Sequence, residues 1–140
     1  MLVVDASVAV KWLVDEIDHT SARAILVAGD ELVAPEFVLA EVGNVLWKKL
    51  RRGEVSEPQA IAGLSALPRF YDRLIPTQPI IMRALALATE LQHPVYDCLY
   101  LACAESEGAG VVTADARFAQ AARKKSPKTL SLSEWVAGVR

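Results

Sequence analysis

Short β-branched strands alternating with longer helical segments are what most restricts the folds open to this chain. Leu2-Val3-Val4, Leu32-Val33, Arg73-Leu74-Ile75-Pro76 and Val111-Val112-Thr113 each read as a strand, and Thr129-Leu130-Ser131-Leu132 as a weaker fifth. The intervening segments read as helices: one through about Leu13, then near 20–29, 36–52, 57–67, 79–91, 96–107 and 115–124, with a short one after the last strand. Apolar strands interleaved with helices indicate an α/β fold, a parallel sheet of four or five strands covered on both faces. In such sheets functional groups gather at the carboxyl ends of the strands.

Helix punctuation supports this order. Residues 36–52 make the clearest helix: Pro35 stands at its start, and Lys48, Lys49, Arg51 and Arg52 crowd an end where cations suit the dipole. Gly53 then stops it. Ser7 and Ser56 are placed to cap the helices that follow them. The 140 residues suit one compact domain, and 53% hydrophobic residues allow a real core. No repeat, low-complexity tract or internal boundary interrupts them, so residues 1–140 read as a single domain.

Charge narrows the functional classes. The net charge is −2 and the pI about 5.7, so global charge predicts no strong polyanion binding. A nucleic-acid partner would have to be held by a local basic patch or through metal ions. The start of the chain lacks a basic region, and Asp5 and Lys11 interrupt its apolar stretch, which is not a signal peptide. No charge-free run approaches a membrane span. A cytoplasmic setting follows, with Cys98 and Cys103 read as buried apolar residues rather than a disulfide.

Four carboxylates stand out against this background. Asp5 directly follows the first strand, and Asp115 lies just past the strand at 111–113. Glu41 interrupts a helix that is otherwise apolar from Phe37 to Trp47 except for Asn44. Glu41, Asn44 and Lys48, spaced i, i+3 and i+7, share one stripe. Asp97 opens a helix that is apolar nearly all round. A carboxylate beside a packed face is costly unless compensated. Taken singly, each has a simpler reading: Asp97 as a helix N-cap, Asp5 and Asp115 as strand-end turn or cap residues, Glu41 as a partner of Lys48 or an Arg. Taken together, four acids on one predicted edge stay ionised only beside a strong positive charge. Hard oxygen donors with no His or Cys in the same motifs favour Mg²⁺ or Mn²⁺ over Zn²⁺. Such ions activate water and stabilise the oxygens of a phosphodiester undergoing displacement.

The segments Val-Val-Asp5-Ala-Ser7, Pro35-Glu-Phe-Val-Leu-Ala-Glu41-Val-Gly-Asn44, Tyr96-Asp97-Cys-Leu-Tyr-Leu-Ala and Val-Val-Thr113-Ala-Asp115-Ala-Arg117-Phe118 resemble the PIN-domain family, in particular its VapC-type toxins. The resemblance spans nearly the whole chain in the right order. It implies an α/β/α sandwich and a metal-dependent endoribonuclease, with Asp5, Glu41, Asp97 and Asp115 on the acidic quartet. Asp5 and Asp97 match the most direct metal ligands, and Glu41 and Asp115 ligands direct or through water. Thr113 matches a hydroxyl position two residues before the last acid. Ser7 can orient Asp5 or a metal-bound water, and Asn44 can hydrogen-bond Glu41 or substrate. The implied reaction is hydrolysis by metal-activated water, leaving 5′-phosphate and 3′-hydroxyl ends. A homodimer and a VapB-type antitoxin, whose Arg would pair with the carboxylates in place of metal, are implied as well.

Other features carry two readings each. Lys48, Lys49, Arg51 and Arg52 can hold RNA phosphates or simply end a helix, and Arg123, Lys124, Lys125 and Lys128 share that ambiguity. Arg117, close to Asp115, is the better single phosphate contact. Asp15, Glu16 and Asp18 read as a solvated loop, and His19 and His93 lack ligand-like spacing. Trp12, Trp47, Tyr96 and Tyr100 read as core or dimer surface rather than base-stacking platforms. Two alternatives remain, a solitary PIN ribonuclease in RNA processing and a non-catalytic PIN interaction module. Phosphatase chemistry of the haloacid-dehalogenase type fits less well, because Ser7 stands where its second acid belongs. A P-loop is absent.

Overall fold

The computed structural model describes residues 1–138; the last two positions of the expected 1–140 domain lie outside the described residues. Five strands form one sheet: β1 (Leu2–Val4), β2 (Leu32–Pro35), β3 (Arg73–Ile75), β4 (Gly110–Thr113) and β5 (Thr129–Ser131). Their order is β3-β2-β1-β4-β5 and every pairing is parallel. The three central strands are almost entirely buried, which explains why they are apolar runs rather than alternating ones. The sheet is the expected one, and the weak fifth strand is part of it.

Among the described residues, eight α-helices cover the sheet: α1 (Ala6–Leu13), α2 (His19–Ile25), α3 (Val38–Arg51), α4 (Glu57–Ala66), α5 (Ile81–Leu91), α6 (Val95–Glu107), α7 (Ala116–Ala122) and α8 (Leu132–Gly138). Contacts of α1 with α2 and α3, of α3 with α4 and of α2 with α8 build one layer. Contacts of α6 with α5 and α7 build the other, with α6 resting on β1, β2 and β4. Right-handed crossovers require this division, since the chain runs outward from β1 through β3 and then returns to β4. The direction of travel therefore reverses between β1 and β4, the position where open α/β sheets hold their ligands.

Several boundaries differ from the sequence reading. Pro35 closes β2 instead of opening α3, which begins only at Val38. A proline tolerates the strand end because its missing N–H is not called on there. The helix expected near 20–29 stops at Ile25, ahead of Gly29, which adopts φ +90. Ser56 does cap α4, in a reciprocal pairing with Gln59. Ser7 does not cap α1: Asp5 is the N-cap, its carboxylate accepting from the Val8 amide, and Ser7 lies inside the helix. Gly108, at φ +66, ends α6, and a side chain at Gly110 would meet the Lys128 carbonyl oxygen at 2.9 Å. Both glycines in the Glu-Gly-Ala-Gly turn thus have a backbone reason to be there.

The core joins both layers through the sheet, from Val8 and Trp12 on α1 to Leu101 and Cys103 on α6. Cys98 and Cys103 are free and buried, as expected. Glu16 is not a solvated loop residue. It bridges Lys11 at 3.2 Å and Lys49 at 2.5 Å, fastening α1 to the end of α3. The loop acid and one member of the basic cluster are therefore spent on each other. In the second basic cluster Arg123 pairs with Glu134 and Lys125 with Glu90. No helix among the described residues is long and apolar enough to cross a membrane.

Candidate active site

In this parallel sheet α1, α3 and α7 follow strands and begin at the carboxyl edge, and α6, which runs back to β4, begins there as well. The four acids all occupy such helix starts. Asp5 caps α1 and Asp115 caps α7, while Glu41 and Asp97 sit in the first turns of α3 and α6. Four helix N-termini thus present their positive dipole ends to four carboxylates on one edge. Asp97 is not an N-cap, however. Pro94 holds that place, and the Asp97 carboxylate instead meets a side chain.

Asp5 is buried, 3% exposed, and held from α1 and from the end of β4. Ser7 Oγ donates to its Oδ1 at 2.6 Å and Thr113 Oγ1 to its Oδ2 at 2.5 Å. Each hydroxyl has one proton, so with both turned onto Asp5 they act on each other only as near neighbours, 3.2 Å apart. Behind them the Ala114 amide donates to Ser7 Oγ at 2.8 Å and the Asp115 amide to Thr113 Oγ1 at 3.0 Å. Two backbone amides past β4 therefore polarise the hydroxyls that hold Asp5.

The other acids are held from one side as well. Tyr100 OH donates to Glu41 Oε1 at 3.2 Å, so Glu41 is satisfied by a buried tyrosine and not by Lys48. His93 Nε2 lies 2.6 Å from Asp97 Oδ2. Asp115 Oδ1 accepts from the Arg117 and Phe118 amides at 2.9 and 3.1 Å. Among the described residues, Glu41 Oε2, Asp97 Oδ1 and Asp115 Oδ2 have no hydrogen-bond donor. Asp5 Oδ2 has the Thr113 hydroxyl alone, whereas Oδ1 takes both Ser7 and the Val8 amide. Each carboxylate has one oxygen fixed by protein and one with spare acceptor capacity.

Electrostatics shows that the four share a common space. Burial pushes the Asp5 carboxyl up to about 6, against the Ser7, Thr113 and Val8 hydrogen bonds, and the charge of Asp97 pushes the same way. Burial pushes Glu41 up to about 7, reinforced by Asp5, Asp97 and Asp115 and opposed by Tyr100. Asp97 is raised by burial and by Asp115, and His93 opposes. Like charges so placed are stable together only with a compensating cation. The donors are hard oxygens, which suits a small divalent ion. Among the described residues no three His, Cys, Asp or Glu side chains close into a ligand set by themselves. The fit to a cation therefore rests on mutual repulsion, free oxygens and hard donors.

The remaining sequence candidates are placed as follows. Ser7 and Thr113 join the site through Asp5. Asn44 is exposed and lines a cleft of about 540 Å³ with Glu41 and Asp97. Arg117 is exposed at the start of α7. Two partners were missed by sequence reasoning. His93 lacks ligand-like spacing in the sequence, yet it stands four residues before Asp97, on the far side of Pro94, and reaches its carboxylate. Tyr100 reads as a core residue and is one, and only the tertiary fold brings it to Glu41. Trp12 is also core, but Trp47 and Tyr96 are exposed.

Residues 2–124 match the PIN domain. The chain is 37% identical to Ribonuclease VapC1 of Mycobacterium tuberculosis over 125 residues, covering 85% of this chain and 89% of that protein. It is 35% identical to Ribonuclease VapC3 of Pyrobaculum aerophilum over 122 residues, covering 85% and 92%. Among solved structures, PAE2754 from Pyrobaculum aerophilum superposes with a TM-score of 0.75 at 22% identity, over 99% of this chain and 88% of that one. Mycobacterium tuberculosis VapC20, described as a toxin that cleaves the sarcin-ricin loop, superposes with a TM-score of 0.68 at 18% identity, over 86% and 95%. With the family model covering most of the chain and two ribonuclease relatives above one-third identity, this chain belongs to the PIN-domain family, among its VapC-type members.

Proposed function

We propose that the chain is a metal-dependent endoribonuclease, the toxin of a VapBC toxin–antitoxin pair, acting as one domain over residues 1–140. The observation that carries this reading is the half-engaged state of the four carboxylates. Asp5, Glu41, Asp97 and Asp115 each have one oxygen held by protein donors and another with room for a further ligand. Asp5 and Asp97 would hold Mg²⁺ or Mn²⁺ directly, and Glu41 and Asp115 directly or through water. When bound there, such an ion would supply activation of water and charge stabilisation on the phosphodiester.

The chain's own residues do the rest. Ser7 and Thr113 keep Asp5 aimed and ionised against its burial. His93 orients Asp97, and Tyr100 orients Glu41. Asn44, in the wall of the cleft, and Arg117, exposed at the start of α7, contact the substrate. The partners in this reading are an RNA substrate, a VapB-type antitoxin and a second copy of the chain, in the cytoplasm. An antitoxin Arg would satisfy the free carboxylate oxygens in place of the ion.

The test is to map cleavage ends in total RNA with purified protein in Mg²⁺ or Mn²⁺, with EDTA and Asp5→Asn as controls. The expected result is discrete ends bearing 5′-phosphates, absent from both controls. Cleavage that persists in EDTA or in Asp5→Asn would sink the proposal. RNA left intact under every condition would favour a non-catalytic interaction module.

A further inference from the structure

We infer that the stacked Phe37 and Tyr96 rings form a platform for one unpaired base of the RNA, next to the phosphodiester held at the acids. The inference rests on the ribonuclease reading and adds Tyr96 to it as a specificity-determining residue.

The two rings meet because α3 and α6 both begin at the carboxyl edge. Phe37 stands immediately before α3 and Tyr96 is the second residue of α6. Their centroids are 5.2 Å apart and their planes differ by 8°. That is an offset parallel stack, which both rings favour over a face-to-face sandwich. Phe37 is half-buried and packs against the core, whereas Tyr96 is 63% exposed. Phe37 therefore braces Tyr96 from one side without hiding it. An exposed ring held in this way has little rotamer freedom left to lose when a ligand stacks on it.

The surroundings select the ligand. Phe37 and Tyr96 line the same cleft as Glu41, Asn44 and Asp97. Tyr96 immediately precedes Asp97, and Phe37 lies one helical turn before Glu41. A phosphate on this wall would face two carboxylates, and a neutral aromatic face would not. A base suits the rings, and its phosphate suits the adjoining acids once they hold a cation. Stacking is tolerant of base identity, so the platform chooses unpaired over paired nucleotides more than one base over another. Along α3 the stripe continues from Glu41 through Asn44 to Lys48, offering a polar and then a cationic surface for the strand leaving the platform.

The test is a double-mutant cycle between Tyr96 and the RNA. The probes are single-stranded oligonucleotides spanning a cleavage site mapped in total RNA, each with one abasic residue at successive positions around the cut. With wild-type protein, one position is expected to lower kcat/KM roughly 5- to 150-fold, the range that stacking of one base spans. Tyr96→Ala should lose a similar factor on intact RNA and lose nothing more at that one abasic position. Tyr96→Phe should behave as wild type throughout. Binding of the same oligonucleotides to Asp5→Asn, with and without Tyr96→Ala, reads the platform without turnover. If the nuclease reading fails and no site is mapped, the same binding comparison is made with homopolymeric single-stranded RNAs, which a base-tolerant platform still holds more tightly in the presence of Tyr96. Independent, additive losses at every position would overturn the inference. So would unchanged RNA binding by Tyr96→Ala combined with a weaker homodimer, which would assign the ring pair to a protein interface.

Discussion

Thr113 Oγ1 donates to Asp5 Oδ2 at 2.5 Å, joining the carboxyl ends of β4 and β1 where the direction of the sheet's crossovers reverses. The same oxygen accepts from the Asp115 amide, so one hydroxyl links two of the four acids. Thr113→Val keeps the shape and removes both bonds. It should weaken divalent-metal binding and kcat/KM by about 10- to 100-fold, as losses around metal ligands do. Thr113→Ser, which keeps the hydroxyl, should stay near wild type. Calorimetric titration with Mn²⁺ alongside cleavage rates checks both.

Stability should run against the usual carboxylate trend. Asp5 and Glu41 are raised in the folded protein, from 3.8 to about 6 and from 4.5 to about 7. The folded state therefore binds more protons than the unfolded chain over this interval. The stabilisation is complete below about pH 4 and is lost as pH rises through 6 to 7. For Asp5 the loss is on the order of 3 kcal/mol. In EDTA the melting temperature should fall between pH 5 and pH 8, and saturating Mn²⁺ should restore it most at pH 8. Glu41→Gln should flatten this fall while losing activity. A melting temperature in EDTA that rises over the same range would contradict the electrostatic account.

His93 lies against Asp97 Oδ2 at 2.6 Å and stacks on Phe118 with ring centroids 5.7 Å apart. His93→Phe preserves the stacking and deletes the hydrogen bond. The expected outcome is a loss of about 10- to 100-fold in metal affinity and activity, with the fold retained. His93→Gln should recover part of it. Far-UV circular dichroism with metal titration separates lost orientation from lost fold.

Glu16 offers the contrasting case of an acid with a purely structural task. Burial raises it, but Lys49 and Lys11 more than offset this and leave it below its ordinary value. Glu16→Gln should cost about 1 kcal/mol, the upper end for partly exposed pairs, because two lysines lose one partner. Cleavage per folded molecule should not change. Denaturant unfolding with parallel cleavage assays would show a stability loss without a rate loss.

The order of strands and helices follows from local composition, because Leu2–Val4 and Val111–Thr113 can only be buried strands and α6 is apolar on nearly every face. The prominence of Asp5, Glu41, Asp97 and Asp115 follows in the same way, since a carboxylate in an apolar run is conspicuous to any reader of periodicity. The distant partners of these acids are not legible at that level. Thr113 lies 108 residues from Asp5 and Tyr100 lies 59 residues from Glu41, and no local pattern encodes such partners. Ser7 divides the two levels: the fold gives the cap suggested for it to Asp5, while its hydroxyl does turn onto the Asp5 carboxylate, as the family resemblance implies. Side-chain partners across strands depend on register and on which residues the crossovers bring to one edge. Sequence alone therefore determined which residues are chemically out of place, and the tertiary structure decided what they face.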